Sequence, residues 1–215
     1  MASKRAVLWD MDGVLVDSGE LHYQAWRETL SEFSIPFDRH KFRQTFGMNN
    51  ARILTILRGT PPEDDFLNMV SARKESRFRD LIPGNLQLLP GTLNWLKRLQ
   101  EEGILQAVAS SAPQANIEAI VDELGIRHYL SAMVSADRMS GKPDPTIFLE
   151  TARQLGVQPG QCVVVEDAVA GVIAARQAGM RCIAVSTTHP KTELTAADMA
   201  VDSLEELSLS DFFAN

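Results

Sequence analysis

The chain is short of cysteine, short of positive charge and without any long apolar run, and each shortage closes off a class of function. Its two cysteines, Cys162 and Cys182, lie in apolar runs. They are too few for a disulfide framework or a zinc site and are expected to be small core residues of a reduced, cytoplasmic protein. Lys and Arg number 21 against 28 Asp and Glu, a formal net charge of −7. Nucleic acid or an anionic membrane surface calls for a basic face, so neither is expected as a partner, and any anionic substrate must meet a local positive site. No segment approaches the ~20 apolar residues of a membrane span. Residues 1–5 run into the first apolar stretch without the longer apolar region of a signal peptide. There is no internal repeat and no low-complexity segment. What remains is ordinary globular composition, 45% hydrophobic and 23% charged, enough for one full core with a smaller appendage in a protein expected to be a monomer.

The most informative stretch comes first. Ala6-Val7-Leu8-Trp9 reads as a strand that delivers Asp10 and Asp12 into a turn at Gly13, and side chains two apart on extended chain start from the same side. Two carboxylates about 4 Å apart repel by about 4 kcal/mol at an effective dielectric near ~20, so the pair calls for a cation, a proton or solvent. A hard metal ion is the natural occupant; an Asp-rich turn is the plainer reading.

After Ser18 the spacing turns helical. Leu21, Ala25, Trp26, Thr29, Leu30 and Phe33 recur on one face, with Asp17 or Ser18 as cap. Pro36 ends that helix, Asp38 caps another, Gly47 separates a third carrying Ile53, Leu54 and Leu57, and residues 63–81 form a fourth. From Pro90-Gly91 on, short apolar runs alternate with amphipathic segments. Strands are expected at 105–109, 133–135, 162–165 and 182–185, and helices beginning near Thr92, Pro113, Pro145, Ala168 and Lys191. The pattern predicts an α/β fold: a Rossmann-like, doubly wound parallel sheet from residues 1–17 and 85–215, with a small all-helical cap, residues 18–84, inserted after the first strand.

In such a sheet, ligands sit beyond the carboxyl ends of the strands. Those ends carry Asp10 and Asp12, then Ser110 and Ser111, then Glu166 and Asp167, while Lys142 lies in the turn Gly141-Lys142-Pro143-Asp144-Pro145. Taken singly, Ser110, Ser111 and Asp167 read equally well as helix caps, and Lys142 as a surface charge. Together, at successive strand ends, they make a phosphate site with a metal.

These four stretches resemble the four motifs of the haloacid dehalogenase superfamily, in its phosphatase and β-phosphoglucomutase-like subgroup: residues 10–18, Val108-Ala109-Ser110-Ser111, residues 141–145, and residues 165–171. The resemblance implies Asp10 as nucleophile, Asp12 as general acid and base, Ser110, Ser111 and Lys142 as phosphate ligands, and Mg²⁺ held by Asp10 with Glu166 or Asp167, beside Asp12. Dehalogenases of the superfamily lack an acid/base at the position of Asp12. Substrate choice in the subgroup lies in the cap, where His22, Trp26, Gly47, Asn50, Arg52 and Lys74 are the candidate contacts. The mutase that the chain resembles carries basic residues around the cap glycine. Here Phe46 and Asn50 take those places, with Arg43 and Arg52 nearby. The expectation is therefore a phosphatase acting on a small phosphorylated metabolite, a sugar phosphate above all. The alternatives are a phosphosugar mutase and, from another class, a non-catalytic sugar-phosphate-binding protein.

Overall fold

β1 (Ala6–Trp9) lies in the middle of the sheet although it comes first in the chain. The structure, a computed structural model, describes residues 4–213. After β1 come four helices, α1 (Gly19–Ser31), α2 (Arg39–Thr45), α3 (Asn50–Arg58) and α4 (Asp64–Leu81). The remainder alternates: α5 (Thr92–Glu101), β2 (Leu105–Ser110), α6 (Gln114–Glu123), β3 (Ala132–Ser135), α7 (Thr146–Leu155), β4 (Cys162–Glu166), α8 (Val169–Gln177), β5 (Arg181–Val185), β6 (Met199–Val201) and α9 (Leu209–Phe212). The pairings between these six strands are all parallel, in the order β3-β2-β1-β4-β5-β6.

The strands are apolar on both sides because both faces of the sheet are covered. Val7 and Trp9, with Val108, Val163, Val165 and Ile183, pack with Leu96 and Leu99 of α5, Ile117 and Ile120 of α6 and Phe212 of α9. Ala6 and Leu8, with Ala107, Ala109, Val164, Cys182 and Ala184, pack with Ile147 and Phe148 of α7 and Val172 and Ala174 of α8. The sheet is thus doubly wound, and both cysteines are buried and free. Trp9 Nε1 donates to Gln106 Oε1 at 3.2 Å, so the one polar atom of this fully buried indole is satisfied within the core.

Two expectations fail here. No helix starts at Lys191. Residues 190–197 form single turns closed by Glu193 N to Pro190 O, Leu194 N to Lys191 O and Ala197 N to Leu194 O. The turns bury Leu194 against the sheet, and Asp198 Oδ2 accepts from Cys182 N at 2.8 Å, so the chain passes directly into β6, which the sequence reading missed. Of the two caps expected for α1, Asp17 Oδ1 accepts from Gly19 N at 3.4 Å, while the Ser18 hydroxyl donates to Asp12 instead of capping.

The helical insert has an apolar cluster of its own, Trp26, Leu30, Ile53, Leu54 and Val70. Its helix ends are set locally: Asp38 Oδ1 accepts from Lys41 N at 2.8 Å, Asn49 Oδ1 accepts from Arg52 N at 2.9 Å, and Gly59, with φ of 77°, ends α3. At its two ends the insert joins the main core, since Leu21 and Ala25 of α1, and Phe78 and Ile82 at the end of α4, pack in the same cluster as Val7 and Trp9. The link from β1 is a tight turn, Leu15 N to Met11 O, that meets the returning chain through Leu89 N to Leu15 O at 3.0 Å.

Candidate active site

Register builds the floor of the site. Trp9 stands opposite Val108 and Val165, so the next residues, Asp10, Ala109 and Glu166, stand at one level across the three strands. β2 and β4 each run one residue further than the apolar pattern suggested, which carries Ser110 and Glu166 within the strands themselves.

Asp10 is buried, and Lys142 Nζ bridges it to Glu166. Glu166 is a fully engaged carboxylate: Oε1 accepts from Lys142, and Oε2 accepts from the backbone N–H of Asp167 and of Ala168, both at 2.8 Å. Gly171 makes this possible, because a Cβ there would stand 1.8 Å from Glu166 Oε1. Glu166 therefore aims the ammonium. Gly171→Ala is expected to destabilise the protein by about 1–3 kcal/mol through overpacking and to lower activity by displacing Lys142, read as unfolding midpoint and turnover. An unchanged midpoint would remove Glu166 from this seat.

One ammonium between two buried carboxylates leaves negative charge uncompensated. Burial, helped by the nearby charge of Glu166 and opposed by Lys142, pushes Asp10 up to about 7. Asp167 is likewise raised well above the ordinary range by burial and by the charges of Glu166 and Asp10. Thr188 Oγ1 donates to Asp167 Oδ2, and a Cβ on Gly13 would lie 2.0 Å from that oxygen. Among the described residues no group of three His, Cys, Asp or Glu side chains is spaced to hold a metal. Two carboxylates short of positive charge nevertheless suit Mg²⁺, which takes one or two protein carboxylates and fills its other positions with water and substrate phosphate. Asp10 and Asp167 fit that ion; the Glu166 and Asp12 carboxylates, also candidates from the sequence, are hydrogen-bonded to Lys142 and backbone N–H groups and to Ser18, respectively.

Asp12 belongs to a second chain of contacts. Ser18 donates to it, and His22 Nε2 lies 3.4 Å from its Oδ1. The His22 ring stacks on Phe78 at 3.9 Å, with Lys74 Nζ 2.9 Å from its Nδ1. Burial, then the charge of Lys74, lowers the His22 pKa, so the ring is neutral. A charged Lys74 has only protons to give, which leaves Nδ1 as acceptor and directs Nε2–H at Asp12. Burial works to raise Asp12, but these contacts prevail and its pKa is lowered.

Above the floor, a cavity of 410 Å³ is lined by Asp12, Ser111 and Gly141 below and by Trp26, Phe46 and Asn50 of the insert, among others. Asp10, Ser110 and Lys142 lie outside this lining. Ser110 Oγ accepts from Ala112 N at 3.1 Å, closing the turn after β2. Gly47, with φ of 81°, borders the cavity. Arg52 does not, being exposed, and Arg43 lines a separate cleft with Thr187 and Thr188. Sequence reasoning missed Thr188 and Glu75. Thr188 follows β5, whose end was open to the same strand-end inspection as the others. Glu75, beside Lys74 on a charged helix, gave no such signal.

Carboxylates and a lysine gather at the ends of parallel strands, beneath a helical insert, in an α/β enzyme fold. The chain belongs to the haloacid dehalogenase-like hydrolases, whose family model matches residues 4–179. It is 34% identical over 213 residues to a β-phosphoglucomutase of Bacillus subtilis, covering 95% of this chain and 92% of that one. It is also 33% identical over 183 residues to a fructose-1-phosphate phosphatase of Escherichia coli, covering 83% and 95%. Among solved structures it resembles CbbY of Rhodobacter sphaeroides in complex with xylulose-(1,5)bisphosphate, with a TM-score of 0.88, 26% identity and coverage of 97% and 99%. Among the described residues, no helix is long and apolar enough to cross a membrane.

Proposed function

We propose that this enzyme is a Mg²⁺-dependent phosphatase that hydrolyses a small sugar monophosphate through an aspartyl phosphate on Asp10. The observation that carries the reading is the division of labour between two neighbouring carboxylates: Asp10 is held against Lys142, and Asp12 faces the cavity under Ser18 and His22. Asp10 attacks phosphorus, the ester P–O bond breaks, and the leaving oxygen takes a proton from Asp12. The arriving phosphate dianion raises the pKa of Asp12, which supplies that proton, and His22 and Ser18 then hold the carboxylate that accepts a proton from the attacking water. Water cleaves the aspartyl phosphate and inorganic phosphate leaves. Bound Mg²⁺, held by Asp10 and Asp167, would neutralise charge on the transferring oxygens, as Lys142 does beside them. Excess chelator is expected to lower phosphate release at least tenfold, with recovery on adding Mg²⁺; full activity in chelator would reject the metal role of Asp10 and Asp167.

The relatives' names include both mutase and phosphatase, and a bisphosphate is bound by the Rhodobacter protein, so the decision rests on the side chains of this cavity. A mutase must hold a second phosphate and keep water from its intermediate. Among the described residues no arginine lines the cavity; Arg43 lines the separate cleft and Arg52 is exposed. Each missing charge-assisted contact costs about 1.5–3 kcal/mol, or roughly ten- to a hundredfold in hold. A sugar monophosphate is expected to give free phosphate, and β-glucose 1-phosphate with a bisphosphate activator to give little glucose 6-phosphate. Coupled detection of glucose 6-phosphate appearing faster than phosphate would reverse the preference. We take the helical insert, residues 18–84, to be the cap that selects the substrate, and residues 1–17 with 85–215 to be the core that performs the chemistry.

A further inference from the structure

Glu75 is a buried acid on the wall of the substrate cavity that the chemistry above does not use. Lys74 Nζ lies 3.1 Å from both of its oxygens, Asn50 Nδ2 donates to Oε1 at 2.8 Å, and Asn116 Nδ2 of α6 donates to Oε2 at 2.5 Å. Burial pushes the Glu75 carboxyl up, but the charge of Lys74 and the two amides outweigh it, and the group stays ionised at neutral pH. Lys74 is the one Lys or Arg among the described residues that line the cavity, against the carboxylates of Asp12, Glu75 and Asp137. Its ammonium is taken up by Glu75 and His22 and sits over the rings of Trp26 and Phe78, at 5.5 and 5.3 Å. It has no charge left for a second anion.

We propose that Glu75 is a specificity-determining residue: by neutralising Lys74 it denies the cap side of the cavity to a second anionic group and selects monophosphates whose remaining part is an uncharged polyol. The rest of the wall matches such a leaving group. Asn49, Asn50 and Ser71 offer hydroxyl partners, and Trp26, Phe46 and Met48 offer apolar surface to the C–H face of a sugar. The proposal rests on the phosphatase reading, deepens it to a substrate class, and assigns the selection to a residue outside the chemical step.

The test compares a hexose 6-phosphate with the corresponding hexose 1,6-bisphosphate. In the wild type, kcat/KM is expected to favour the monophosphate. Burial lowers the Lys74 pKa and the charge of Glu75 opposes that; with Glu75→Gln the second phosphate of a bound bisphosphate takes over as the anion that keeps Lys74 protonated, and the bisphosphate-to-monophosphate ratio is expected to rise by roughly ten- to a hundredfold, chiefly through KM for the bisphosphate. A purely structural role would depress both substrates alike and leave the ratio unmoved, which would overturn the proposal, as would a wild type that prefers the bisphosphate. Asn50→Arg provides a second route if Glu75→Gln does not fold. It pairs Glu75 from the other side and is expected to move the ratio in the same direction; an unmoved ratio there overturns the proposal equally. Calorimetric titration of both ligands into Asp10→Asn protein, with and without Glu75→Gln, reads the same ratio without turnover. Absence of hydrolysis with both substrates would sink the phosphatase reading, while an unchanged binding ratio would sink the role of Glu75.

Discussion

Asp10→Asn is expected to leave a folded protein with no measurable phosphate release, a loss of roughly 10⁴-fold or more, since it removes the proposed nucleophile and a neutral amide cannot accept the phosphoryl group. The change is nearly isosteric and sits against Lys142, which keeps Glu166 as partner. Stability should move the other way, with a definite dependence on pH. Asp10 in the folded chain is pushed up to about 7, above its unfolded value near ~4. Its contribution to stability is therefore present below about 4 and is lost as pH rises through about 7. In chelator, the Asn variant should gain stability relative to the wild type across that window. Denaturant titrations of both proteins at several pH values measure this, together with a phosphate-release assay. Turnover within tenfold of wild type would sink the covalent mechanism, and a stability difference independent of pH would contradict the buried charge.

Lys142→Met is expected to be the most destabilising single change at the site. It keeps the length of the side chain and its contact with Phe148, whose ring lies 5.1 Å from the ammonium, but strands Asp10 and Glu166 as two buried carboxylates without their shared cation. Leaving a buried charge uncompensated costs about 3–5 kcal/mol, far more than the ~0–1 kcal/mol of an exposed pair such as Arg39 with Glu20. Turnover should fall with it, because the same ammonium lies beside Asp10, the proposed nucleophile. The expected readout is a lowered urea midpoint in chelator with an unchanged slope. A midpoint equal to wild type would mean that the bridge contributes nothing.

The sheet was legible because buried parallel strands are written as apolar runs, and Val-Val-Val at 163–165 or Ala-Val-Leu-Trp at 6–9 leaves little else to be. The strand-end residues followed from the same rule, which is why Asp10, Ser110 and Glu166 could be named before any coordinates. Met199–Val201 was missed because three residues carry no periodicity, and the helix expected at Lys191 was displaced by a tertiary demand, the burial of Leu194. Charged residues were hardest to place. Lys74 and Glu75 look like the solvent face of α4, and only the closing of α1, α3 and α6 around them makes them interior. Arg52, one turn into α3, looks equally available and is turned outward.

The central place of β1 sets the order in which this chain can fold as it is made. Ala6 pairs with Leu105 on one side and with Cys162 on the other. At ribosomal rates of about 5–20 residues per second, the second neighbour emerges roughly 8 to 30 s after β1. Until β2 emerges Ala-Val-Leu-Trp has no strand to pair with, and until β4 it has one on one side only, while the helices behind it can form on contacts within their own segment. A nascent chain of this kind exposes its central strand longest, and the Asp10 amide stays without its partner until β4 arrives and Val165 O accepts it. Catalytic competence is thus acquired late in synthesis, and truncated products ending before residue 162 would be helical but inert.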